Sequence, residues 1–173
     1  MSPLLVISRI GPESDVLLRN LFEHYCHDMS EWFDLDTKAD GSYSYDTASI
    51  WANEYRAYLA KVGSSIAGFA LVGSAAAWLG DTPGQDVHEF FVLRKFRRRG
   101  VGRRMAGLVW NEHPGEWLVR VLDANRPAVL FWRAAVGAYS CGAFHEEPRI
   151  VDGQRWRFFR FVSHGVESEM PPR

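Results

Sequence analysis

Cysteine is scarce: the chain has only Cys26 and Cys141, far apart and in neither metal-binding nor redox spacing. That predicts two reduced thiols in a cytoplasmic protein. No apolar run approaches the roughly 18 residues that a membrane span needs, and the N-terminus lacks a charged-then-apolar leader. Neither membrane insertion nor secretion is expected. Internal repeats and low-complexity segments are missing too, so the expectation is one domain over 1–165 with a frayed tail at 166–173. His24, Cys26 and His27 do not have the spacing of a zinc set, and no metal is expected.

Net charge is also nearly absent, at −1, but it is unevenly spread. Seven of the twenty Lys and Arg lie between Arg94 and Arg104, a stretch with no acid. Elsewhere thirteen cations face twenty-one acids. An acidic body with one basic spot is a poor profile for a nucleic-acid binder, so no such partner is expected. Hydrophobic residues at 47% and charged residues at 24% fit an ordinary globular protein, while the aromatic share of 14% points to a bulky core or an aromatic-lined pocket.

The basic stretch follows the apolar run Val87–Leu93 and precedes Met105–Trp110, which has helical spacing. A strand, a loop with two glycines and a helix form a device for holding phosphate. Glycine admits close approach to the backbone, and the open N–H groups and dipole of a helix start favour an anion. Arginines add charge-assisted hydrogen bonds. A solvated basic helix start is the plainer reading, but it leaves the self-repulsion of seven cations unexplained. No Gly-Lys-Ser/Thr marks a P-loop. One glycine of the dinucleotide fingerprint and its later acid are also missing.

The spacing Arg97-x-x-Gly100-x-Gly102, preceded by Val92 and Phe96, resembles the acyl-CoA loop of the GNAT superfamily of N-acetyltransferases. Asn125-x-x-Ala128-x-x-Phe131-Trp132 resembles the same superfamily's helix beside the cofactor. Trp132 stands where many members carry a tyrosine credited with protonating the departing thiolate. Gly137, Ala138 and Tyr139 replace the usual Gly-Phe one residue late. The resemblance implies acetyl-CoA as cosubstrate and transfer to a small-molecule or peptide amine without an acyl-enzyme, in a monomer or homodimer. It places the cofactor on Phe91, Val92, Leu93, Arg97, Arg98, Arg99, Gly100, Val101, Gly102, Arg103, Arg104, Asn125, Phe131 and Trp132. Asn125 also reads as a helix cap, and the two aromatics as core residues.

Glu89, a carboxylate in an otherwise apolar strand, is the candidate general base, because a cleft would raise its pKa. The alternative puts it on an exposed face or against an arginine. Strand alternation sends His88 to the opposite side unless a bulge intervenes. Tyr139 is a candidate acid or simply a packing residue. The acceptor side implied by the resemblance includes Tyr25, Asp28, Glu31 and Trp32, an acidic and aromatic set suited to a cationic amine. An acidic wet surface is the alternative. A non-catalytic acyl-CoA sensor, and an RNA- or lipid-binding patch, are the rival functions.

Element signals predict the order β-α-α-β-β-β-α-β-α-β-β, a mixed α/β arrangement. The GNAT resemblance implies a mostly antiparallel sheet flanked by helices. Leu4–Ile10, Arg56–Val62, Ile66–Ser74, 87–93, 116–122, Gly142–Glu146 and Arg155–Ser163 read as strands. Asp15–Met29, Asp46–Asn53, 101–112 and 127–136 read as helices, and Ala75–Asp86 as a loop.

Overall fold

The structure, a computed structural model, describes residues 4–53, 55–80 and 82–165; the expected tail at 166–173 lies outside them. The strands are β1 (Leu5–Ile10), β2 (Arg56–Val62), β3 (Ser65–Ser74), β4 (Gln85–Val92), β5 (Gly115–Leu122), β6 (Phe144–Val151) and β7 (Gln154–Ser163). The helices are α1 (Asp15–Met29), α2 (Thr47–Ala52), α3 (Ala76–Leu79), α4 (Val101–Asn111) and α5 (Arg126–Tyr139). The strands form one sheet in the order β1-β2-β3-β4-β5-β7-β6, and β4–β5 is its parallel pair. The architecture is the mixed, mostly antiparallel one expected.

Local chemistry accounts for most boundaries. Asp46 caps α2 by accepting from the Ser49 N–H, and Asn125 caps α5 by accepting from the Ala128 N–H. Asp152 and Gly153 both have positive φ, 49° and 76°, which gives the two-residue turn that joins twisted strands without splaying them. This tight turn lets β6 start at Phe144 and run to Val151, further than the expected Gly142–Glu146. The expected loop 75–86 contains the one-turn helix α3, closed by Gly80 in a left-handed conformation. α5 continues through Gly137 to Tyr139, because tertiary packing outweighs that residue's low helix propensity.

Helices α4 and α5 cover one face of the sheet, where Met105, Trp110, Trp132 and Val136 pack on Val72, Val119 and Phe159. On the other face α1 and α2 cover β2–β4, burying Phe22 and Ile50 against Leu59, Phe69 and Leu71. The short α3 covers only a small cluster, Ala75, Leu118 and Phe158.

The middle of the sheet is irregular twice at one place. Strands β4 and β5 pair only from Gln85 to Val87 against Trp117 to Val119, then part. Against β3, Leu71 pairs with Glu89 but Val72 pairs with Val87, so His88 is an extra, bulged residue. A bulge bends its strand and increases the local twist. It stands where β4 leaves β5.

Candidate active site

A cavity of about 400 Å³ fills the opening between β4 and β5. Val119, Val121, Ala128, Trp132 and Phe90 line one end; Cys26, Met29, Phe33, Leu35, Tyr45, Leu122 and Trp156 line the other, with Tyr25, His88, Glu89 and Arg120 also in the wall. The bulge at His88 also turns the strand over. Val87 faces the α4–α5 core, whereas Glu89 and Phe91 face α1.

Glu89 is partly open to the cavity but otherwise surrounded by protein. One carboxylate oxygen accepts from the Tyr25 hydroxyl and the other from the Tyr45 hydroxyl at 3.2 Å. Burial pushes the Glu89 carboxyl above its ordinary value, against the two tyrosine hydrogen bonds and the charges of His88 and Arg120. Burial and the nearby Glu89 charge raise both tyrosines as well, so each remains a neutral donor.

Tyr45 reaches Glu89 because its loop is tied to α1. The Glu23 carboxylate accepts from the N–H of Tyr43 at 2.7 Å and of Ser44 at 3.0 Å, and Ser44 has φ of 48°. The Tyr45 ring then stacks on Phe22 with centroids 3.8 Å apart. Asp86, almost wholly buried, takes both arms of Arg120 at 3.0 and 2.5 Å, and the guanidinium lies 4.3 Å from the Trp78 ring centroid.

The loop after β4 opens onto solvent. Gly100, with φ of 73°, is exposed at the start of α4, and no side chain caps that helix. The first bond into the helix runs from the Arg104 N–H to the Gly100 carbonyl, which leaves the preceding N–H groups pointing outward. Arg98, Arg99, Arg103 and Arg104 are exposed and make no ion pair among the described residues. This geometry fits a diphosphate. Gly102 serves another purpose: a Cβ there would come within 3.2 Å of the Phe131 ring, so its bareness keeps α4 and α5 close.

Not every expected residue lies at the cavity. Arg97 is exposed but engaged, donating to the Val92 carbonyl at 2.6 Å and to Asp28. Arg94 also binds Asp28, at 2.6 Å, so that carboxylate bridges α1 to the loop instead of facing an acceptor. Glu31 is exposed, and neither it nor Trp32 lines the cavity. Tyr139 lies outside the cavity wall, its hydroxyl 2.6 Å from both Asn111 Oδ1 and Ser163 Oγ. Asn125 lines the cavity and caps α5, and Trp132 packs on Phe90 with centroids 4.8 Å apart. Phe131 packs between Gly102 and Phe90. Tyr45, Glu23, Arg120 and Trp156 were not singled out from the sequence. Only Asp86 and Arg120, each a charge in an apolar strand, left a signal that could have been read.

Among the described residues no His, Cys, Asp and Glu cluster could hold a metal, and no helix is long and apolar enough to cross a membrane. The model of the acetyltransferase (GNAT) family matches residues 21–138. No curated protein matches the chain. A GNAT acetyltransferase from Streptococcus agalactiae 2603 shares the fold with TM-score 0.70 and 16% identity, over 95% of this chain and 98% of that one. The yncA protein of Salmonella typhimurium, solved with its cofactor acetyl-CoA, aligns with TM-score 0.61 and 14% identity over 97% and 98%. Spermidine N-acetyltransferase from Vibrio cholerae, solved with CoA and spermine, aligns with TM-score 0.62 and 12% identity over 91% and 95%. At these identities the likeness is one of fold.

Proposed function

The chain belongs to the acetyltransferase (GNAT) family, and from that premise we propose direct transfer of an acetyl group from acetyl-CoA to an amine, within one domain spanning 1–165. The observation that carries this reading is the parting of β4 and β5 beside an uncapped, arginine-ringed helix start, with Glu89 in the wall of the opening.

The thioester supplies an acyl carbon open to attack by a neutral amine. The N–H groups at the start of α4, with Arg98, Arg99, Arg103 and Arg104, hold the diphosphate. The backbone of Phe91–Leu93 and the side chain of Asn125 guide the arm into the opening. Glu89 draws the ammonium by charge and takes a proton from it, with Tyr25 and Tyr45 holding both carboxylate oxygens in place. As the C–N bond forms the C–S bond breaks. Of the two protons the ammonium loses, one passes through Glu89 to solvent and one ends on the departing sulfur. Tyr139, held by Asn111 and Ser163, takes no part in this reading. The same holds for Cys26 as a nucleophile: burial and the charges of Glu23 and Glu89 push its thiol to about 11, so it carries almost no thiolate.

Calorimetric titration with acetyl-CoA, followed by thiol release over a panel of amines, tests the proposal. Binding and amine-dependent release are expected. Absence of acetyl-CoA binding would overturn it, and binding without release from any amine would leave a sensor.

A further inference from the structure

We propose that the acceptor is a primary amine on a single uncharged, apolar body of aromatic size, and neither a polyamine nor a peptide terminus. The inference rests on the acetyl-transfer reading above. It comes from the charges that the acceptor end of the cavity lacks. Among the described residues Glu89 is the one acid in the cavity wall. Three other carboxylates of this side are engaged: Glu23 by two backbone N–H groups, Asp28 by Arg94 and Arg97, and Asp86 by Arg120. Asp34 and Asp36 beside Leu35 are exposed and do not line the wall.

A substrate with one ammonium therefore meets one carboxylate. A second ammonium would be buried among Met29, Phe33, Leu35 and Trp156 with no counter-charge, which is costly. An amino-acid carboxylate fares no better, because the cation in the wall, Arg120, is already neutralised by Asp86. The outer wall is apolar. The Phe33 ring, from the segment after α1, meets Trp156 at the start of β7 with centroids 6.1 Å apart. The backbone N–H and C=O groups of a peptide would find no partner among the apolar side chains of Met29, Phe33 and Leu35. What remains is a space walled by aromatic and aliphatic groups, of the sort that takes a small apolar molecule and orients it by one polar atom.

The test uses the full-length protein loaded with CoA and three probes: 2-phenylethylamine, spermidine and a tetrapeptide beginning with alanine. Calorimetric binding to the loaded protein and initial rates with acetyl-CoA are both measured. The expected result is a kcat/KM for phenylethylamine at least about tenfold above either rival, with phenylethylamine alone giving resolvable binding heat. In Leu35→Glu, at an exposed position that adds a second carboxylate to the wall, phenylethylamine binding should weaken at least about fivefold and spermidine binding should appear. Spermidine or the peptide matching phenylethylamine in the wild type overturns the inference. CoA binding without phenylethylamine binding also overturns it and leaves the cofactor site standing. Failure to bind CoA overturns this inference and the parent reading together.

Discussion

At Glu89 two effects oppose each other: burial favours the neutral acid, while Tyr25 and Tyr45 favour the carboxylate. Burial prevails, so the folded-state pKa lies above the unfolded one. The group's contribution to stability is then complete below its ordinary value of 4.5 and is lost as pH rises through the folded-state value. Glu89→Gln removes this titration. The melting temperature of the variant relative to wild type should therefore climb as pH rises above 4.5, as scanning calorimetry would show. Its kcat should fall by about 10²- to 10⁴-fold with unchanged CoA affinity, since only the base is lost. Cys26 offers a second test. Its buried thiol, held at about 11, should resist maleimide at pH 7.5 while exposed Cys141 reacts, so intact mass should show one label. Cys26→Ala should retain kcat within about threefold, because removing a thiol with no acid–base role forfeits none of the 10²-fold or more a catalytic group supplies. Glu89 was readable as a carboxylate in an apolar strand. Its direction was not, because the extra residue at His88 resets the alternation from which facing is inferred.

Helix α1 and the segment after it shape the acceptor side through two ties. In the first, burial would raise the Asp28 carboxyl, but hydrogen bonds and charge from Arg94 and Arg97 prevail and hold it below the ordinary value. This tie is present above the unfolded pKa and is lost as pH falls through the folded one. Because both arginines are exposed, Asp28→Asn should cost only about 1 kcal/mol, or roughly 2–4 °C in melting temperature. In the second, Glu23→Gln replaces one of the two oxygens that hold Tyr43 and Ser44. Tyr45 should then lose its fixed approach to Glu89, with kcat/KM down about tenfold, CoA affinity unchanged and faster limited proteolysis near 36–42. The helix α1 was legible from its apolar stripe and α2 from its Asp46 cap. The segment between them has no period, so neither the Glu23 tie nor the arrival of Tyr45 could be foreseen. Asp28 misled for a related reason: an acid near an acceptor site looks free until its partners, distant in sequence, are known.

Across the molecule, three residue pairs join the strands that separate its two halves, and the proposed cofactor spans the gap beyond them. Binding there should hold the halves together. Acetyl-CoA at about 100 times its Kd should stabilise by about 2.7 kcal/mol, raising the melting temperature by about 5–10 °C, less in high salt. The order of strands and helices was legible because each element carries its own periodicity and punctuation. The place where β4 and β5 part was not, because pairing depends on both strands and neither announces its release.

That parting gives His88 an unusual standing. Deleting it would keep Val87 opposite Val72 and Glu89 opposite Leu71 but make the ladder unbroken, with every neighbour still on its present face. The straightened strand would then be free to zip further along β5 and shut the gap. A chain one residue shorter at this point should therefore be the sturdier protein and the poorer catalyst, melting higher and binding no acetyl-CoA. The kink is a standing sacrifice of firmness that keeps the doorway ajar.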